Sequence, residues 1–102
     1  MIDSTIDRLI RQAIREKRLM RFIYTGKVRV VEPHDYGVQN GKLRLLSYQI
    51  GGESNSGALP AWRWIDVGNM SEVSIEDTTF KGSRGPDSMQ HHKWDELYAR
   101  VA

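Results

Sequence analysis

The chain has no cysteine among its 102 residues, which excludes disulfides and thiolate metal sites outright. It has no apolar run approaching the roughly 18 residues that a bilayer-spanning helix needs. Its opening residues alternate apolar side chains with Asp and Arg, unlike the apolar stretch of a signal peptide. A cytoplasmic protein with no membrane association is the prediction. Two catalytic signatures are missing as well. The glycine- and serine-rich residues 51–57 lack the Gly-Lys-Ser/Thr ending of a P-loop and feed no helix, and no Gly-x-Ser-x-Gly elbow occurs.

What is present points to one globular domain, residues 1–102. The chain is long enough to bury one core and too short for two. Apolar residues make up 39% of it, including three Trp, four Tyr and two Phe, which favours folding over disorder. The net charge of +2 is small but unevenly spread. Residues 1–31 hold eight Lys/Arg against three Asp/Glu, and residues 32–102 hold seven against ten. A basic amino-terminal third suits an anionic partner.

Ile2, Ile6, Leu9, Ile10, Ala13 and Ile14 recur at helical spacing, predicting an amphipathic helix within residues 1–18. Its outer side carries Arg8, Arg11, Arg15 and Arg18. That row is either a solvated face, helped by Asp7–Arg11 pairing, or a basic surface for phosphates. Asn40-Gly41 is a strong hairpin signal, because a type I′ turn needs φ > 0 at both central residues. Counting outward from it pairs Gln39 with Lys42, Val38 with Leu43, Tyr36 with Leu45 and His34 with Ser47. Arg29, Val31 and Pro33 then share a face with Arg44, Leu46, Tyr48 and Ile50, unless a bulge, for which Gly37 is the candidate, flips what lies upstream.

Further strands are predicted at residues 19–24, 61–67 and 72–76, with Phe80 closing the β portion. Alternation puts Arg63, Ile65 and Val67 on one face and Trp62, Trp64 and Asp66 on the other. Residues 81–86 read as a linker. Trp94, Leu97, Tyr98 and Val101 lie at helical spacing, predicting a C-terminal helix over 87–102. The whole is mainly β with flanking helices: five short antiparallel strands, residues 19–80, bent into a small barrel.

The elements Phe22-Ile23-Tyr24, Arg29-Val30-Val31-Glu32-Pro33, Gly41 through Tyr48, Arg63 through Val73 and Phe80 resemble the WYL domain family. That resemblance covers about residues 10–80, and it implies an Sm-like, SH3-type barrel. The name-giving Trp-Tyr-Leu falls on Leu43-Arg44-Leu45, keeping only the Leu. The family's later Phe-Arg-Leu-Asp-Arg-Ile strand falls on residues 65–70, without its arginines or aspartate. The likeness is therefore to a divergent, stand-alone member. It implies a bacterial transcription regulator that senses nucleic acid or a nucleotide-like ligand, with a protein partner supplying the DNA-binding domain.

Arg29, Arg44 and Arg63 come from three strands, with Tyr48 predicted beside the first two. Guanidinium forks with an aromatic form the type of surface that contacts phosphates and stacks bases. Ser54 and Ser56 would line or gate that site. Tyr48 is equally suited to filling core, with the arginines paired to Glu32, Asp35 or Asp66. His34 beside Ser47 invites a nucleophile–base reading that no oxyanion donors support. His91 and His92 would diverge by about 100° on a helix, and His91 with Asp95 makes only two ligands. Neither a metal nor a cofactor is predicted. The expected function is non-enzymatic binding of an anionic ligand, single-stranded nucleic acid or a nucleotide. The alternative is an interaction module, in which the helix arginines and the tryptophans dock a protein partner or a second copy.

Overall fold

The computed structural model describes residues 4–53, 59–84 and 93–102. Helix α1 (Ser4–Glu16) is followed by β1 (Arg18–Tyr24), β2 (Lys27–Gln39), β3 (Lys42–Gly52), β4 (Ala61–Asp66), a single 3-10 turn (Val67–Asn69) and β5 (Ser71–Thr79), with β6 (Glu96–Arg100) last. The six strands are antiparallel, in the order β4-β3-β2-β1-β5, with β6 added to β2. Their edges β4 and β5 do not meet among the described residues, so the sheet is open where a closed barrel was predicted. One face is covered by α1, which packs against β1, β2, β5 and β6. Its Ile10, Ala13 and Ile14 fill the core with Met20, Phe22, Val31, Tyr36, Leu45, Ile65 and Val101. A helix inserted there takes the space that side chains of a closed barrel would fill.

The Asn40-Gly41 turn forms as its residues dictate, with φ of 51° and 77°. Gln39↔Lys42, Val38↔Leu43 and Tyr36↔Leu45 pair as counted. Beyond them the register shifts: Asp35 pairs with Leu46 and Pro33 with Ser47, leaving His34 as the extra residue. The bulge is therefore at His34 and not at Gly37, and the predicted His34–Ser47 pair does not form. Because side chains alternate along a strand, this one residue turns the whole upstream half over. Arg29, Val31 and Pro33 join the core-side face of Leu45, Ser47 and Gln49, away from Arg44 and Tyr48.

The predicted C-terminal helix is not found in its described part; Glu96–Arg100 is β6, and residues 87–92 lie outside the described residues. The reason lies in β2. β1 pairs with β2 only as far as Val31, and the same edge is taken up again by β6 from Asp35 to Val38. Pro33, which cannot donate to a ladder, falls in the gap between the two partners. Residues 35–37 are buried, and each buried backbone group left unpaired costs about 1–3 kcal/mol. A short helix gains little by itself, so pairing wins over periodicity. Around β6, Asp95 N–H donates to Val38 O and Val101 N–H to His34 O, both at 2.8 Å.

Helix α1 ends at Glu16, with Lys17 at φ 53°. Arg18 thus belongs to β1 and leaves the helical arginine row. Its guanidinium donates to Glu76 O, Glu16 and Asp77. Tyr36 clamps the helix to the sheet by donating to Asp7 Oδ1 at 2.6 Å. No helix among the described residues is long and apolar enough to cross a membrane.

Gly37 is required by the docking of β6: a Cβ there would run into the Glu96 carbonyl oxygen and meet Leu97 Cα at 3.0 Å. Gly37→Ala is expected to destabilise the fold by about 1–3 kcal/mol, measured by urea unfolding. An unchanged midpoint would mean that β6 does not sit against β2 this closely.

Candidate anion-binding site

Arg29 of β2, Gln49 of β3 and Arg63 of β4 converge at one end of the core-side face, beside the β1–β2 turn. The His34 bulge sets Arg29 on this face, and the pairing of Ser47 with Arg63 brings β4 alongside. Arg29 is only 6% exposed. Its Nη1 donates to Gln49 Oε1 and its Nη2 to Thr25 Oγ1, both at 3.1 Å. The guanidinium carbon lies 5.4 Å from the centre of the Tyr24 ring, and Nε has no partner among the described residues. Arg63, half-buried, directs its Nε to the same Gln49 oxygen at 3.4 Å.

The charge balance of the interior sets Arg29 apart. Buried charges are costly unless paired, and the other buried ionic groups follow that rule. Glu32 accepts both arms of Arg84, at 3.0 and 2.9 Å, and Asp35 both arms of Arg100, at 3.0 Å each. Arg29 instead has an amide oxygen, a hydroxyl and a ring, with no carboxylate within 4 Å among the described residues. Glu53 turns its Oε2 to the Val28 N–H, at 3.3 Å. An oxyanion would supply the countercharge that Arg29 lacks among the described residues.

The other predicted residues lie elsewhere. Arg44 is on the opposite face, donating to Asp66 at 3.0 Å and to Gln39 at 3.2 Å, with its guanidinium 5.6 Å from the Trp64 ring centre. Tyr48 is also on that face, against Trp62, with the Arg84 guanidinium 3.8 Å from its ring centre. One face of Tyr48 is thus already covered by an arginine of this chain. The expected grouping of Arg29, Arg44 and Tyr48 is therefore replaced by two groups on two faces. Ser54 and Ser56 lie outside the described residues, as do His91 and His92.

Along α1, Arg8 and Arg15 are exposed, while Arg11 folds back onto Asp7 at 3.1 Å and lies against the Tyr36 and Tyr98 rings. Gln49, Thr25 and Tyr24 were missed by the sequence reading. Gln49 is recognisable only through its alternation with Leu45 and Ser47 once the bulge is placed. Among the described residues no three His, Asp or Glu are grouped to hold a metal ion. Ser47 Oγ donates to Arg63 O at 3.4 Å and is not aligned with His34.

The second face holds a compact cluster. His34, fully buried, lies with its ring centre 4.8 Å from that of Trp62 and 5.6 Å from that of Phe80, its Nε2 3.4 Å from Glu32 Oε1. Desolvation holds the His34 pKa below its ordinary 6.5, only partly opposed by the bond to Glu32. Residues 81–84, read from sequence as a linker, carry the Arg84 that closes this cluster, and beside it Glu32 and Thr79 through Arg84 line a cavity of about 500 Å³.

No family model matches the chain, and no curated protein or solved structure does either.

Two outcomes are expected. Arg84→Met, which deprives buried Glu32 of its bidentate partner, should cost about 1–3 kcal/mol, discounted for the partial exposure of Arg84. Arg29→Met should leave stability within about 1 kcal/mol of the parent or raise it, because it removes a buried charge with no countercharge; urea melts of the two variants check the contrast. For His34, the unfolded chain takes up a proton near pH 6.5 that the folded chain takes up only at lower pH. Its contribution is therefore complete above that value and is lost as pH falls through it. Unfolding free energy should fall between about pH 7 and 5.5, and fall less in His34→Gln.

Proposed function

We propose that this chain is a non-enzymatic, WYL-like ligand-sensing domain with an open sheet, and that the Arg29–Gln49–Arg63 site binds an anionic ligand, single-stranded nucleic acid or a nucleotide. The observation that carries the reading is the buried Arg29 guanidinium, whose described partners are all neutral. Retaining such a charge costs stability, and a bound phosphate restores the balance. The half-buried Arg63 offers the outer contact, and the exposed Thr25 marks the rim. In this reading the domain belongs to a bacterial, cytoplasmic transcription regulator, and a partner protein supplies the DNA-reading element. Arg44 and Tyr48 drop out of the ligand site, because they lie on the other face with partners of their own.

The interaction-module alternative draws on the partly exposed Trp62, Trp64 and Trp94 of the second face and on the exposed Arg8 and Arg15 of α1. The two readings depend on different residues. Fluorescence anisotropy of labelled single-stranded RNA and DNA oligomers should give binding that weakens with salt, by about 0.7 in log–log slope per phosphate contacted. Binding should be lost in an Arg29→Met/Arg63→Ala double variant and kept in Arg8→Ala/Arg15→Ala. Absence of binding to either oligomer at low salt would rule out the nucleic-acid reading.

A further inference from the structure

Gln49 sits between the two arginines of the proposed site with all four of its amide contacts made inside the protein. Its Oε1 accepts from Arg29 Nη1 and Arg63 Nε, and its Nε2 donates to Gly51 O at 3.1 Å and Glu53 O at 2.9 Å. Guanidinium groups only donate and carbonyls only accept, so the opposite amide orientation would break every one of these bonds. The side chain is 0% exposed. It therefore joins two functions: it offers the arginines a neutral oxygen where an anion's oxygen would sit, and it ties down the end of β3.

The remaining geometry favours displacement of Gln49. Arg29 is almost wholly buried, and even its unpartnered Nε is closed to solvent. A ligand oxygen can reach that guanidinium only if a neighbour gives way, and Gln49 is the neighbour that both arginines share. An amide oxygen carries a fraction of a phosphate oxygen's charge, so exchange favours the anion. Once Gln49 swings out, its Nε2 leaves Gly51 O and Glu53 O. The strand end is then held by the pairing of Gly51 and Gly52 with Val30 and Arg29, by the backbone bond from Glu53 N–H to Val28 O, 2.7 Å, and by the Glu53 carboxylate on Val28 N–H.

Resting on the proposed anion-binding reading, we infer that Gln49 is an internal stand-in for the ligand, and that anion binding displaces it and loosens the Gly51–Glu53 end of β3 by removing its two side-chain ties. Binding and loosening are then coupled in both directions: whatever loosens residues 51–53 raises affinity, and whatever pins Gln49 lowers it. This is a means by which a small anion changes the surface at one end of the sheet.

Two variants of opposite effect test it, with inorganic phosphate and the labelled oligomers as probes and circular dichroism as the check on folding. Gln49→Leu removes the competing oxygen and should bind tighter than the parent. Gln49→Glu places a permanent carboxylate between Arg29 and Arg63 and should bind about tenfold more weakly or worse. Hydrogen exchange at the amides of residues 51–53 should speed up in the parent on saturation with phosphate, and already be fast in Gln49→Leu without it. If both variants weaken binding, or exchange at 51–53 is unchanged by phosphate, the stand-in role is overturned while anion binding by the parent still stands. If neither the parent nor Gln49→Leu responds to phosphate or oligomer, both the stand-in and the anion site are overturned. Should Gln49→Leu fail to fold, Gln49→Met takes its place with the same expected direction.

Discussion

β2 is hydrogen-bonded along both edges but to three different partners, and the rest of the structure is arranged around that requirement. β3 runs the length of one edge, while β1 and β6 divide the other, meeting near Pro33 and His34. A strand this buried cannot leave backbone groups without partners, so a segment with an apolar helical period is drawn into extended pairing. The same requirement explains the bulge. Where the partner on one edge changes, the strand must bend, and the extra residue His34 supplies the bend and the added twist.

The bulge in turn divides the polar chemistry between two faces. On the outer face, Glu32, His34 and Arg84 form a closed ionic cluster covered by Tyr48, Trp62 and Phe80, an arrangement that neutralises its own charge. On the core side, Arg29 and Arg63 meet on an amide. The contrast is one of charge: among the described residues the buried Glu32 carboxylate has a guanidinium on both oxygens, and the buried Arg29 guanidinium has only neutral partners. The proposed anion site rests on that asymmetry.

Much of the architecture was legible because local rules dominate there. The Ile10/Ala13/Ile14 stripe, the Asn40-Gly41 turn and the alternation of Trp62/Trp64 against Arg63/Ile65 each depend on neighbours a few residues away. The errors arose where distant partners decide. Nothing local distinguishes a bulge at His34 from one at Gly37, since the deciding fact is the handover from β1 to β6 on the far edge. Leu97 and Tyr98 fit a helix by period with Val101, and only the vacancy beside residues 35–38 places them in a strand. Arg29 and Arg63 were legible as arginines on strands, and their convergence depended on the bulge. Gln49, a polar residue amid strand formers, carries no local signal of burial between two cations.

The division of β2's edge also sets an order of events during synthesis. β2 and β3 can close as soon as the Asn40-Gly41 turn is made, but residues 35–38 must wait for β6. Asp35 and Arg100 are 65 positions apart, an interval of roughly 3–13 s at translation rates of about 5–20 residues per second. Throughout it, the chain displays a half-occupied strand carrying a carboxylate that will later be fully enclosed. An exposed edge of this type is a template for any neighbouring strand, and on a polysome the nearest neighbours are copies of the same nascent chain. Burying Asp35 against a strand that brings no arginine in register carries the full cost of its desolvation, whereas β6 brings Arg100 to both of its oxygens.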